Sequence, residues 1–181
     1  MKKTLLNILT LTVITLFMSA CESATDAPDT SAPAEEIVET GTLSYTFDGQ
    51  QHDLKTYSLT TTRGTSHTAS VQRTSDGLKV NIGAQKSFNE TVNSVSTLYF
   101  TFPNETVTTG TYHTDFYVLF MIDGTLNQTA DGYDTDITLA EDDGTVIHLI
   151  GTTTTTYNRI QSNGTTQPEP LVFEFDVKAS R

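Results

Sequence analysis

Six Asp-Gly or Asn-Gly pairs punctuate this chain: Asp48-Gly49, Asp76-Gly77, Asp123-Gly124, Asp131-Gly132, Asp143-Gly144 and Asn163-Gly164. Such pairs accept the positive φ that a type I′ turn needs at both central positions, and that turn matches the twist of two antiparallel strands. Between them the apolar residues recur every second position. Leu43, Tyr45 and Phe47 do so, as do Leu78, Val80 and Ile82, then Leu98, Phe100 and Phe102, then Ile137 and Leu139, and finally Leu171, Phe173, Phe175 and Val177. Strict alternation places every apolar side chain of a strand on one face, so each run reads as a half-buried strand. The expected strands cover about 41–48, 51–61, 66–74, 78–84, 95–102, 112–122, 125–130, 133–140, 145–156 and 171–179. No helical periodicity appears after residue 40. The fold class is therefore all-β: an antiparallel sandwich or barrel of about 8–10 strands, arranged as a meander. In 112–122 both faces are apolar (Phe116, Val118, Phe120 and Ile122 against Tyr117, Leu119 and Met121), so this segment is the expected central, most buried strand.

Composition supports the same class. Of 181 residues, 36 are threonine, a β-branched residue suited to a pleated, half-wet surface. The Thr152–Thr156 run is expected to present a flat polar ladder on an exposed edge strand.

The first 40 residues are of another kind. Lys2 and Lys3 precede an apolar run from Leu5 to Met18, then Ser19, Ala20 and Cys21, the single cysteine of the chain. Charge, a short apolar core and small residues before a cut are the organisation of a signal peptide. The run is short and broken by polar residues for a spanning helix, which takes ~20 apolar residues. Met18-Ser19-Ala20-Cys21 resembles the lipobox of bacterial lipoproteins, with Met18 where leucine is commoner. The resemblance implies cleavage between Ala20 and Cys21, a diacylglyceryl group on the Cys21 sulfur and an acylated new amino terminus. Two or more acyl chains anchor a protein stably, where one does so only marginally. Glu22 follows the cysteine; in Gram-negative sorting an aspartate there favours inner-membrane retention, so its absence points to the bacterial outer membrane. Residues 22–40 (ESATDAPDTSAPAEEIVET) hold acids, Pro, Ala, Ser and Thr and no basic residue, a composition that cannot offset its ordering entropy. The expected organisation is thus a signal peptide at 1–20, a lipidated cysteine and disordered acidic linker at 21–40, and an all-β domain at 41–181.

Charge narrows the partners. The formal net charge is -12 and the loss of Lys2 and Lys3 with the signal would make it -14. Nucleic acid is bound by Lys and Arg neutralising phosphates, so this balance argues against it. With one cysteine no intrachain disulfide can form, and the fold must rest on its core.

Candidate chemistry is sparse. No Gly-x-Ser-x-Gly elbow is present, and Ser66-His67, being adjacent, do not make a triad, which needs three partners in space. His52, His67, His113 and His148 are scattered without zinc-ligand spacing. Asp131, Asp134 and Asp136 cluster about one turn and Glu141, Asp142 and Asp143 about the next; these are the candidates for calcium, which takes 6–8 oxygens. Tyr57, Tyr99, Tyr117, Tyr133 and Tyr157 are candidate platforms for a glycan. No cofactor and no enzyme activity are expected.

Phe47-Asp48-Gly49, Gly110-Thr111-Tyr112, Gly151-Thr152-Thr153 and the alternating Val172–Val177 run resemble features of small secreted β-sandwich lipoproteins of unknown function. The resemblance covers 41–179 and implies a fold, with no catalytic residues to carry over. The resulting expectation is an envelope lipoprotein, anchored to the membrane through lipid, that acts as a non-enzymatic binding or accessory module for a protein or glycan partner. The alternative is a lipocalin-like barrel carrying a small apolar ligand.

Overall fold

The computed structural model describes residues 35–160 and 164–181. Each alternating run becomes a strand: β1 Glu36–Phe47, β2 Gln50–Thr61, β3 Gly64–His67, β4 Ala69–Thr74, β5 Gly77–Gln85, β6 Ser94–Phe102, β7 Gly110–Thr114, β8 Leu119–Ile122, β9 Thr125–Gln128, β10 Tyr133–Asp142, β11 Val146–Ile160 and β12 Thr166–Ser180. The one helical element among the described residues is a single 3-10 turn, Pro103–Glu105. Among the described residues twelve strands replace the expected 8–10, because two of the expected runs divide. Asp48-Gly49 and Asp123-Gly124 hold positive φ at both residues and close the β1–β2 and β8–β9 hairpins as type I′ turns.

The strands hydrogen-bond in the order β7-β10-β11-β12-β1-β2-β5-β6-β8-β9. The path then closes on itself. β4 pairs with β5 and meets β12 through a parallel bridge, Ser70 with Ser180. The Thr129–Tyr157 bridge joins the chain after β9 to β11. The sheet therefore forms a β-barrel with strands outside it, and of the two expected architectures the barrel is the one adopted. The long-range pairing of β1 with β12 departs from a simple meander: the buried faces of both alternate in phase, Leu43 against Phe175 and Tyr45 against Phe173.

The inward side chains fill the barrel. Phe100 packs edge-on against Phe102, with Tyr112 and Phe175 around them. Tyr45, Phe47, Phe120, Tyr157 and Phe173 form a second aromatic group. Phe100, Phe102, Phe120 and Phe173 are wholly buried, each worth about 1.5–3 kcal/mol against exposure.

Three expectations are corrected. The segment 112–122 is not one central strand. It leaves the ladder at 115–118, between β7, which pairs only with β10, and β8, which pairs with β6 and β9. Threonine hydroxyls make the break possible by taking the place of a partner strand: Thr129 Oγ1 accepts from Val118 N at 2.9 Å and Thr97 Oγ1 from Leu119 N at 2.7 Å. Buried backbone polar groups must be paired, but a side chain can supply the partner. The run 66–74 also divides, at Thr68, whose Oγ1 accepts from Tyr57 N (2.7 Å) and whose carbonyl accepts from Gly83 N (2.7 Å). Finally, the boundary expected at 40/41 falls inside β1. Glu36 to Glu39 pair with Thr60 to Tyr57, Thr40 is the extra residue of a bulge, and its hydroxyl lies 2.8 Å from that of Thr56. The compact unit accordingly runs from Glu35. Local composition marks 36–40 as linker, but a partner strand offers these residues ladder bonds and an ion pair, Lys55 with Glu39.

One tyrosine joins two parts of the barrel. Tyr133 of β10 is buried, and its hydroxyl donates to Tyr99 O (2.6 Å) while accepting from Tyr99 N (3.1 Å) on β6. Tyr133→Phe leaves the Tyr99 N–H without that partner and is expected to cost about 1–3 kcal/mol, read as a lower urea midpoint at unchanged m-value.

Candidate binding surface

Most of the charged and polar candidates prove to be placed separately. Asp134 and Asp136 sit on the outward face of β10. Asp134 Oδ1 lies 2.7 Å from His113 Nδ1, and Asp136 accepts from the Thr111 hydroxyl, so β7 engages each of them with a different residue. Asp131 lies in the loop before β10. At the other end of the strand Asp142 pairs with Arg181 at 2.6 Å, and Asp143 accepts from Thr145 N and Val146 N to close its turn. Those turn hydrogen bonds hold the Asp143 carboxyl below the usual aspartate range. Among the described residues no group of three His, Cys, Asp or Glu side chains is placed to hold a metal ion.

The histidines stay apart. His52 stacks on Tyr45 (4.9 Å, 13°). His67 lies in exposed β3, and among the described residues no ion pair joins it to a carboxylate that would complete a triad with Ser66. His148 lies 2.7 Å from Asp176 and 3.8 Å from Glu141. His113 sits between Asp134 (2.7 Å) and Asp115 (2.9 Å); the Asp134 hydrogen bond, then that of Asp115, raises its pKa.

The threonine run is not an edge strand. β11 lies between β10 and β12. Thr153 and Thr155 point inward and are buried, while Thr152, Thr154 and Thr156 face out. Thr153 meets Thr135 across the ladder, hydroxyl to hydroxyl at 2.9 Å. On the outside a row of short polar side chains crosses six strands in register: Thr111, Asp136, Thr152, Glu174, Ser44 and Asp53. Beside this row, Thr42, Ser44, Thr138, Ile150, Thr152 and Glu174 help to line a shallow cleft of about 310 Å³.

Two of the five candidate tyrosines come together. Tyr57 and Tyr133 are buried, and Tyr157 packs against Phe47 and Phe120. Tyr99 faces outward from β6, half-buried. The 115–118 segment, in leaving the ladder, carries Phe116 and Tyr117 to the same place. Phe116 stacks on Tyr117 with ring centroids 4.1 Å apart at 23°, and lies 5.6 Å from Tyr99. Lys79 Nζ stands 3.5 Å over the Tyr99 ring, and Asn81 is the cross-strand neighbour of Tyr99. Burial and then the neighbouring Tyr117 phenol push the Tyr99 hydroxyl above the usual tyrosine value. Backbone bonds hold the segment, Gly132 N to Phe116 O (2.7 Å) and Thr129 N to Val118 O (3.1 Å), and Val118 N donates to the Thr129 hydroxyl. The result is a shelf of three rings on a fixed backbone.

Alternation alone assigned Phe116 to the core, and Lys79 and Asn81 carried no sequence signal. The one usable sign was that 112–122 is apolar on both faces, more than a single strand in this barrel can bury. Ala20 and Cys21, with the expected cleavage and lipidation, lie outside the described residues. No protein family, curated protein or solved structure matches this chain.

Proposed function

We propose that this protein is a lipid-anchored envelope module that recognises its partner on the outside of the barrel and performs no chemistry of its own. The observation that carries the reading is where the unfilled binding capacity lies. Interior positions are taken by interlocking Phe, Tyr, Leu and Val side chains. The aromatic shelf and the Thr/Asp/Glu/Ser row are instead on the outer surface. Ligand sites generally combine an apolar or aromatic base with a few polar groups that set orientation, and the shelf has both. The packed interior favours surface recognition over the lipocalin-like carrier. The anchor rests on the lipobox resemblance at Cys21.

Detergent phase partition and lipid titration test the two halves. The full chain is expected in the Triton X-114 detergent phase and Cys21→Ser in the aqueous phase; identical partition removes the anchor. Titration with cis-parinaric acid is expected to show no saturable binding. A saturable one-to-one complex would sink surface recognition in favour of the carrier.

A further inference from the structure

We propose that Phe116 and Tyr117, braced by Tyr99, whose own ring is covered by Lys79 Nζ at 3.5 Å, form a stacking platform for a neutral polysaccharide; this rests on the surface-recognition reading above and names its ligand class. The rings do not serve the core in the way their sequence pattern implies. Phe116 and Tyr117 stand on a segment that has left the sheet, and Tyr99 points away from the barrel interior. All three remain half-buried on the outside, with Phe116 against both Tyr99 and Tyr117.

A pyranose ring presents a patch of C–H groups on its face and a rim of hydroxyls at its edge. Aromatic rings match the first, being large, rigid and apolar, and phenols and amides match the second. Here the rim is present. Among the described residues neither the Tyr99 nor the Tyr117 phenol, nor the Asn81 amide, takes up a hydrogen-bond partner. The platform is also organised in advance. The backbone bonds from Gly132 and Thr129 fix the segment, so little ordering entropy is left to lose on binding.

Charge selects among glycans. The chain carries a formal -12, against which Lys79 at the Tyr99 ring is a single positive charge, and Asp115 and Asp134 are engaged by His113. Polyuronates, sulfated glycans and phosphorylated sugars would be repelled, whereas a neutral chain would not.

Affinity electrophoresis of the full chain tests this, with native gels containing hydroxyethylcellulose, galactomannan or laminarin as neutral probes and alginate as the acidic one. Retardation in at least one neutral gel and none in alginate is expected. Tyr117→Ala and Asn81→Ala should each weaken that retardation, the first by about tenfold, the worth of one lost aromatic stack. Tyr117→Phe should keep most of it, because the ring stays. Asn81→Ala removes no ring and guards against a Tyr117→Ala variant that fails to fold. No retardation in any neutral gel overturns the proposal, as does retardation that both alanine variants leave unchanged. Pull-down from envelope extracts separates the two levels. A partner protein retained equally by wild type and both variants overturns the sugar platform while leaving surface recognition standing.

Discussion

Gly151→Val is expected to destabilise the barrel by about 3 kcal/mol or more, the upper range for forcing atoms into a packed site. Gly151 lies in β11 with Ile137 of β10 on one side and Phe175 of β12 on the other. A Cβ at this position would run into the Asp136 carbonyl oxygen and stand 2.9 Å from Phe175 Cζ and 3.1 Å from Ile137 Cδ1. The first obstacle is backbone, so relief requires opening the β10–β11 ladder. The ladder is already irregular there, its register shifting between Ile137 and Leu139. Valine adds two further methyls to the same space. Thermal unfolding should show a fall in Tm on the order of 10 °C for a domain of this size. Thr152→Ala, one residue on and facing out, should stay within about 0.5 kcal/mol. Equal Tm values for Gly151→Val and wild type would refute the close packing of these three strands.

Alkali should unfold the protein through two tyrosines. Burial pushes Tyr45 and Tyr133 from 10.0 up to about 12, opposed at Tyr133 by its hydrogen bond to the Tyr99 backbone. Between these values the unfolded chain releases two protons that the native state keeps. The unfolded state then binds fewer protons, so stability falls as pH rises. The contribution is complete below pH 10 and is lost as pH climbs through about 12. Each tyrosine removes about 1.4 kcal/mol per pH unit across that window, and the pair on the order of 5 kcal/mol in all. Urea unfolding at pH 8, 10, 11 and 12 reads the slope directly. The Tyr45 hydroxyl is buried without a hydrogen-bond partner. Tyr45→Phe should therefore hold or raise stability at pH 7 and roughly halve the alkaline slope. A midpoint that does not move between pH 10 and 12 would mean that both phenols reach water.

The strands were legible because alternation is a local signal. Ten runs were readable, and all ten hold strand within or close to their expected limits; the two that divide do so for a non-local reason. Apolarity on both faces of 112–122 is the one local sign at Phe116-Tyr117-Val118, and it does not say where the strand breaks. Thr97 and Thr129 are 20 or more and 11 or more residues from the groups they satisfy or flank, and only folding brings their hydroxyls there. Threonine abundance was readable as wet pleated surface, yet Thr56, Thr114, Thr129, Thr135, Thr153 and Thr155 are buried. Two of them bond backbone groups across the fold, Thr129 accepting from Val118 N and Thr114 donating to Tyr99 O, a use that composition does not reveal. The aromatic shelf was half visible: Tyr99 and Tyr117 were candidates, whereas Phe116, Lys79 and Asn81 were not.

By itself the sequence determined the all-β class, the period-two core faces and the Asp48-Gly49 and Asp123-Gly124 hairpins, since each depends on residues adjacent along the chain. Only the tertiary structure decided barrel over sandwich, the pairing of β1 with β12, the inclusion of 36–40 in the sheet and the meeting of Tyr99 with Phe116 and Tyr117. Those depend on which strand edges find each other after long loops close, and loop closure leaves almost no trace in local pattern.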